Sequence, residues 1–410
     1  MKIGYACINL SIDAPTSKSC ILKNATEKRL RDLIETNLSG LENIIQYNIK
    51  KKIGLYRISS GLIPFASHPV NTIKWWDDYK PQLDIIARLI KESGMRVSMH
   101  PGQYTVLNSP KPEVVRNAIA DLEYHCRILD ALTDSKIHKI ILHVGGVYGD
   151  KNSAVNRFVE NYNSLSQCIR DRLVIENDEK SYSAHDVLHV SSLTGAPAVF
   201  DNLHNSINPS TYNEYSLIRK FAKTWKACDG IPKMHYSQQD SSKRPGAHSK
   251  TIMPDSFFKF TSGLEGLDMD IMLEVKDKNI SAEKLIGLMR GDKEQMQREW
   301  AKYKYSVMEK SYSAYKEIGN AVAKCPSPSG ELFIRINEIL SLPEDAGQAS
   351  NSLEHVWGYF KKAAGDGERE KFRGLLSSYR NEKTPLHLVK EFLRELSVKY
   401  DVSYIRDSYY

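Results

Sequence analysis

Six short apolar runs in the chain each close on a histidine or a carboxylate: Met95-Arg96-Val97-Ser98-Met99-His100, Ile140-Ile141-Leu142-His143, Leu173-Val174-Ile175-Glu176, Ala198-Val199-Phe200-Asp201, Pro232-Lys233-Met234-His235 and Ile271-Met272-Leu273-Glu274. Taken singly, a histidine at a strand end is more often a hydrogen-bonded structural residue than a ligand, and a buried glutamate only needs a partner for its charge. If the runs are successive strands of one parallel barrel, their last side chains meet at one mouth, and separate structural explanations no longer account for all six. Imidazole and carboxylate together are metal ligands. Three more donors lie in the following loops: His68 in Ile63-Pro64-Phe65-Ala66-Ser67-His68-Pro69, His204 in Asp201-Asn202-Leu203-His204, and His248 in Gly246-Ala247-His248-Ser249. One ion takes about three to six protein ligands, so this set would hold two or three ions, with Glu176 placed best to bridge them. The mixture suits manganese or zinc and argues against calcium or magnesium alone. Such a cluster activates water for in-line attack on a phosphodiester and stabilises charge on the attacking and leaving oxygens, so phosphodiester hydrolysis is the inferred chemistry.

Lys233 stands two residues before His235, so on a strand both side chains take one face. A lysine beside metal ions makes chemical sense if its amine is neutral, is salt-bridged to a ligand carboxylate, or is carboxylated and thus anionic; an ordinary interior salt bridge accounts for it equally well. The other histidines are read as structural. His125, His185 and His189 fall in helical patterns, His138 starts a strand at the far end of the barrel, and His355 and His387 lie in the C-terminal region.

Two further strands, at 3–9 and 53–58, precede these six and bring the count to eight. Leu30, Leu33, Ile34, Leu38, Leu41, Ile44 and Ile45 form an apolar stripe at the 3.6-residue period and predict a first helix. Further helices are expected at about 75–92, 112–132, 153–170, 184–193, 212–228, 255–262 and 281–290, several behind an Asp, Ser or Asn. Unbroken strand–helix alternation favours a (β/α)8 TIM barrel over an open doubly wound sheet, and no glycine-rich phosphate fingerprint follows the first strand. Beyond about residue 290 the texture changes to charged helical stretches, interrupted at Cys325-Pro326-Ser327-Pro328-Ser329-Gly330 and at Pro343-Glu344-Asp345-Ala346-Gly347. The expected organisation is an α/β barrel domain at 1–290 and an all-α accessory domain at 291–410.

With 410 residues, 41% of them hydrophobic, the chain can bury a large core, and its net charge of +7 supports a polyanionic partner only weakly. Six cysteines without any C-x-x-C spacing indicate neither a zinc ribbon nor a disulfide framework, so a reducing interior is the default compartment. Neither a signal-peptide pattern nor an apolar stretch near the ~18 residues of a membrane span is seen. A soluble, cytoplasmic, nucleoid-associated protein is expected.

These motifs resemble those of the ultraviolet damage endonucleases, whose barrel is of the type shared with endonuclease IV and xylose isomerase. The resemblance covers about residues 1–280 and rests on Gly4-Tyr5 with Asn9, Arg57-Ile58-Ser59-Ser60, Met99-His100-Pro101-Gly102-Gln103-Tyr104, Leu142-His143-Val144-Gly145-Gly146, Ile175-Glu176-Asn177-Asp178, Phe200-Asp201-Asn202-Leu203-His204, Lys233-Met234-His235-Tyr236-Ser237 and Met272-Leu273-Glu274-Val275-Lys276. It implies that His68, His100, His143, Glu176, Asp201, His204, His235, His248 and Glu274 are the metal ligands, that Lys233 is the family's N6-carboxylated lysine, and that Glu176, Glu274, Lys233 and His235 serve catalysis. It also implies a manganese-dependent, ATP-independent nick immediately 5′ to cyclobutane pyrimidine dimers and (6-4) photoproducts in double-stranded DNA, leaving 3′-hydroxyl and 5′-phosphate, with other lesions such as abasic sites tolerated. Gln103-Tyr104 matches the family's damage-probing wedge, and Tyr5 and Asn9 match positions lining the lesion pocket. An amide and an aromatic ring can enter a helix opened at two unstacked bases, and this costs less where damage has already weakened pairing. Without the resemblance, Tyr5 reads as interior packing and Gln103-Tyr104 as turn residues. Lys50, Lys51, Lys52, Lys243 and Arg244 suit phosphate contacts, although a charge run is usually just a solvated face.

The C-terminal stretches Tyr303-Lys304-Tyr305-Ser306-Val307-Met308, Tyr315-Lys316-Glu317-Ile318-Gly319, His355-Val356-Trp357-Gly358-Tyr359-Phe360-Lys361-Lys362 and Ser378-Tyr379-Arg380 are similar to a helical domain of uncharacterised role that elsewhere accompanies thiouracil-desulfurase-type domains. Their aromatic and basic content suits a nucleic-acid or protein contact, yet Tyr and Trp at helical spacing are more often core. A monomer is expected. The competing functions are an endonuclease IV-like abasic-site nuclease sharing the cluster, a sugar isomerase on the same barrel, and a catalytically silent damage binder. The isomerase would use a carboxylate-dominated pair of metals, whereas six of the nine candidate ligands are histidines. A full ligand set argues against the silent binder.

Overall fold

The computed structural model describes residues 1–324 and 330–410; five residues of the Cys325–Gly330 interruption therefore lie outside the described residues. The chain forms two compact units, Met1–Ile252 with Leu264–Ile286, and Met253–Gly263 with Gly287–Tyr410.

In the first unit eight parallel strands close in chain order into a barrel. They are β1 (Ile3–Ala6), β2 (Leu55–Ile58), β3 (Arg96–Met99), β4 (Lys139–His143), β5 (Leu173–Glu176), β6 (Ala198–Asp201), β7 (Lys233–Tyr236) and β8 (Asp270–Leu273). Most are buried along their whole length, since one face fills the barrel and the other packs on helices, which is why they read as apolar runs rather than alternating ones. β1 stops short of the expected residue 9 because Cys7 turns the chain with φ 66°.

The helix Glu27–Lys51 begins where Thr26 accepts a hydrogen bond from the Arg29 amide and ends at Lys52 in the left-handed region. Its apolar stripe, Leu30 through Ile45, is buried, each large side chain contributing ~1.5–3 kcal/mol relative to exposure. The expected helix at 75–92 divides into Trp75–Asp78 and Lys80–Ser93, because Pro81 lacks the amide proton needed to continue the first turn. That at 153–170 likewise divides into Lys151–Ser164 and Gln167–Arg172, and the short helix Asn202–Ile207 was not expected. Buried ion pairs close the strand-start end of the barrel: Arg96–Asp270 at 3.0 Å and Lys139–Asp229 at 2.6 Å. There His138 accepts the Val97 amide, as a structural histidine.

The second unit is helical throughout its described residues apart from its connections. Leu353, Val356, Phe360, Val389 and Leu393 form its core, with Trp357 stacked on Phe372 at 4.4 Å. Tyr303 is fully buried and donates to Asp255 Oδ1 (2.6 Å), and Asn337 donates to Asp255 Oδ2 (2.8 Å). Several of the aromatic residues quoted above, Tyr303, Tyr305, Phe360 and Tyr379, are thus core. No helix among the described residues is long and apolar enough to cross a membrane.

β1 and β2 approach so closely that a Cβ at Gly4 would lie 1.8 Å from the Leu55 carbonyl oxygen. Gly4→Ala is expected to destabilise the barrel by ~1–3 kcal/mol or more, read as a lowered denaturation midpoint; an unchanged midpoint would contradict this packing.

Candidate metal centre

Strand register assembles the donors. His143 on β4 pairs in register with Glu176 on β5, and Asp201 on β6 with His235 on β7, so side chains far apart in sequence share one face. His100 and Glu274 follow β3 and β8 by one residue. Reciprocal amide bridges lock the strand ends together. The Asn177 side chain donates to the Asp201 carbonyl and accepts the Asp201 amide (3.0 and 2.9 Å), and Asn202 does the same with Ser237 (2.9 and 2.8 Å). Asp201 also caps the helix Asn202–Ile207, accepting the His204 amide on Oδ1. Its Oδ2 stays buried without a partner.

Glu176, 1% exposed, is the hub. Its Oε2 lies 3.0 Å from His100 Nε2 and 3.7 Å from His143 Nε2, while Oε1 lies 2.6 Å from His235 Nδ1 and 3.9 Å from His204 Nδ1. Three donor groups among the described residues therefore share it: His100-His143-Glu176, Glu176-Asp201-His204 and Glu176-His235-Glu274, each with its ligand atoms within 4.8 Å of one another. Arg57 pairs with Glu274 at 2.5 Å, and His235 Nδ1 reaches the same oxygen at 3.2 Å.

The charge states follow. Burial opposes ionisation of Glu176, but the charges of His235 and His143 outweigh it and hold the carboxyl well below its ordinary range. Glu274 is likewise buried and is held low chiefly by Arg57 and His235, whereas burial pushes Asp201 up. Burial lowers His100 to about 4, against the pull of Glu176. His204 goes the other way: burial opposes its charge, but Asp201 and Glu176 raise it to about 9.

The donor set fits metal ions. His100 Nδ1 lies 3.0 Å from the Pro101 carbonyl, which can only accept, so the proton sits on Nδ1 and the lone pair of a neutral ring faces Glu176 Oε2. Two acceptors face each other there, and a cation between them relieves the repulsion. Asp201 Oδ2, His143 Nδ1 and His235 Nε2 are all buried without hydrogen-bond partners.

The remaining expected residues are placed as follows. His68 is exposed, its Nδ1 accepting the Val70 amide, and His248 donates from Nδ1 to the Glu274 carbonyl at 2.5 Å; neither belongs to the three groups. Lys233 is 1% exposed, and burial, reinforced by Arg96 and Arg57, drives its amine well below the ordinary lysine range. Tyr5 and Asn9 are buried; the Tyr5 hydroxyl donates to Asn48 and accepts from Asn9, both at 2.9 Å. Gln103 and Tyr104 sit exposed on the turn after β3, Tyr104 75% exposed with its ring over Gly102. Lys50, Lys52 and Arg244 are exposed, Lys51 pairs with Glu283 and Lys243 with Asp240. Sequence reasoning gave no role to Asn177, Asn202, Ser237, Arg57 or to Glu179, whose carboxylate lies 3.7 Å from His204 Nε2. The asparagines follow Glu176 and Asp201 directly, a position that could have marked them as strand-end clamps.

Residues 1–306 match the family model described as UV-endonuclease UvdE, and residues 304–410 match one described as a protein of unknown function (DUF1722). The chain is 38% identical over 397 residues to a UV DNA damage endonuclease of Clostridium perfringens, covering 95% of each chain. It is 35% identical over 268 residues to one of Bacillus cereus strain Q1, covering 65% of this chain and 84% of the relative. Among solved structures it is similar to the crystal structure of SacUVDE, at 41% identity and a TM-score of 0.67, over 70% of this chain and 98% of the other.

A metal ion needs the lone pair that the raised pKa of His204 keeps protonated at neutral pH. Divalent-metal affinity of the metal-free protein should therefore rise with pH and level off above about 9, with proton release at pH 7.5. Calorimetric titration in buffers of different ionisation heat reads that proton; an affinity flat from pH 6.5 to 9 would remove His204 from the ligand set.

Proposed function

We propose the following chemistry for a chain that belongs to the UV-endonuclease UvdE family and is a UV-damage DNA repair endonuclease. It hydrolyses the phosphodiester immediately 5′ to cyclobutane dimers and (6-4) photoproducts in duplex DNA, leaving a 3′-hydroxyl and a 5′-phosphate. The observation that carries this reading is the division of the Glu176 carboxylate, one oxygen toward His100 and His143 and the other toward His235 and His204. Glu176 is thereby suited to bridge two ions, with Glu274 and Asp201 as further anionic ligands. Bound there, two or three Mn²⁺ would supply Lewis-acid activation of water and neutralise charge on the attacked phosphate.

The protein's own residues do the rest. Arg57 holds Glu274 in place through their ion pair, and Asn177 fixes the spacing between the ends of β5 and β6. His68 and His248 complete the ligand set. A neutral, buried Lys233 amine is the form that can add carbon dioxide and release a proton, giving a carbamate anion beside the cationic Arg57 and Arg96. Exposed Gln103 and Tyr104 probe the duplex, filling the gap left where a photoproduct has weakened stacking. This pair favours the photoproduct reading over an abasic-site nuclease.

The direct experiment incubates the full chain with Mn²⁺ and 5′-labelled duplexes that carry one cyclobutane dimer, one abasic site or no damage. A single cut just 5′ to the dimer is expected; cutting at the abasic site alone would replace this reading with the abasic-site one. Glu176→Gln should lower nicking ~10³-fold or more while leaving binding to damaged duplex intact. The double variant Gln103→Ala with Tyr104→Ala should reduce the ratio of damaged to undamaged binding ~10-fold or more, and an unchanged ratio would refute the wedge.

A further inference from the structure

Outside the metal centre the structure brings together two thiols that the sequence spacing kept apart. Cys126 lies on the helix Pro112–Leu132 and Cys168 on Gln167–Arg172, 42 positions away, and their sulfurs stand 2.7 Å apart. Cys126 is 4% exposed, whereas Cys168 is reachable from solvent. Around them sit Asp130 and Lys136. The Cys168 thiol donates to Asp130 Oδ2 at 3.0 Å and the Cys126 thiol to the same oxygen at 3.6 Å. Lys136 Nζ is 3.6 Å from the Cys168 sulfur, and Asp130 Oδ1 is paired with Lys136 at 2.9 Å and with Arg172 at 2.7 Å.

Two chemistries use a pair of thiols beside a carboxylate: metal ligation and disulfide formation. A tetrahedral ion with sulfurs at ~2.3 Å would hold them about 3.8 Å apart, well beyond the observed 2.7 Å. Asp130 is moreover already neutralised by two cations. A disulfide requires about 2.05 Å, so the sulfurs lie close to the bonded state. We propose that Cys126 and Cys168 form a thiol–disulfide site whose substrate is a low-molecular-weight disulfide.

The accessible Cys168 attacks, as its thiolate, one sulfur of the small disulfide and expels the other as a thiolate, leaving a mixed disulfide. Cys126 then attacks the Cys168 sulfur and expels the second small thiol, with Asp130 Oδ2 the first acceptor within reach of its proton. Two protein thiols and one small disulfide become one protein disulfide and two small thiols; two electrons and two protons pass to the small disulfide. The product ties the helix 112–132 to the segment that leads through Arg172 into β5, the strand that ends in Glu176.

The test equilibrates the full chain with oxidised glutathione, then reads cross-linked peptides by non-reducing mass spectrometry and the thermal midpoint by calorimetry. The expected result is a Cys126–Cys168 link with the midpoint raised by ~5 °C, both reversed by dithiothreitol and both absent in Cys168→Ser and in Cys126→Ala. Any of three results would overturn the proposal: glutathione retained on Cys168 without a link, neither thiol reacting, or one zinc ion per purified chain that Cys168→Ser removes.

Discussion

The first unit is organised around one unfavourable fact, a glutamate carboxylate held almost wholly out of water. Burying an anion costs several kcal/mol unless cationic or hydrogen-bonding groups surround it. Glu176 meets that cost with imidazoles from three other strands or strand ends, His100, His143 and His235, and from His204 in the helix that follows β6. Yet the His100 ring, 3.0 Å from Oε2, is not a simple counter-ion. His100 is kept neutral by the same burial, so its lone pair and the carboxylate oxygen confront each other, and orphaned atoms on Asp201, His143 and His235 surround them. The arrangement is incomplete as a salt-bridge network, and its unpartnered nitrogen and oxygen atoms are of the kinds that ligate metal ions. Metal-ligand residues held in place before the ion arrives are what a precise, water-activating site requires.

Everything else in the barrel serves that convergence. Strands of four or five residues are long enough to fix register and too short to leave slack, so the registers His143 with Glu176 and Asp201 with His235 translate directly into donor spacing. The asparagine clamps after β5 and β6 then fix the ends of β5, β6 and β7 where the regular ladder stops, so Glu176, Asp201 and His235 are held by strand-to-strand hydrogen bonds. Opposing charges at the other end of the strands, Arg96 with Asp270 and Lys139 with Asp229, keep the barrel's floor polar but paired. A polar mouth and a sealed floor give the fold its direction.

The second unit obeys a simpler logic. Its helices bury aromatic side chains against one another, as Trp357 does on Phe372, and anchor them with a few buried hydrogen bonds such as Tyr303 to Asp255. The relative from Clostridium perfringens spans nearly the full length of this chain, so the two family matches occur together along an aligned sequence of common length.

The ends of the apolar runs announced the barrel and its donors, because a parallel strand buried on both faces leaves a continuous apolar signature and a polar residue at its end stands out against it. The eight strands, the first helix and five of the six groups that gather around Glu176 were therefore legible before any coordinates. Chain order alone could not show which oxygen of Glu176 faces which ring, that the donors on Asn177 and Asn202 bridge neighbouring strands, or that His68 and His248 stand outside the three shared groups. Nor could it show that Met253–Gly263, which the strand–helix count assigns to the barrel, packs with the helices of the second unit. Cys126 and Cys168 make the point most sharply: 42 residues separate them, and only the packing of one helix on another sets their sulfurs side by side. Periodicity records how each segment meets its nearest layer, whereas distances between segments are set by register and packing, which depend on the whole chain at once.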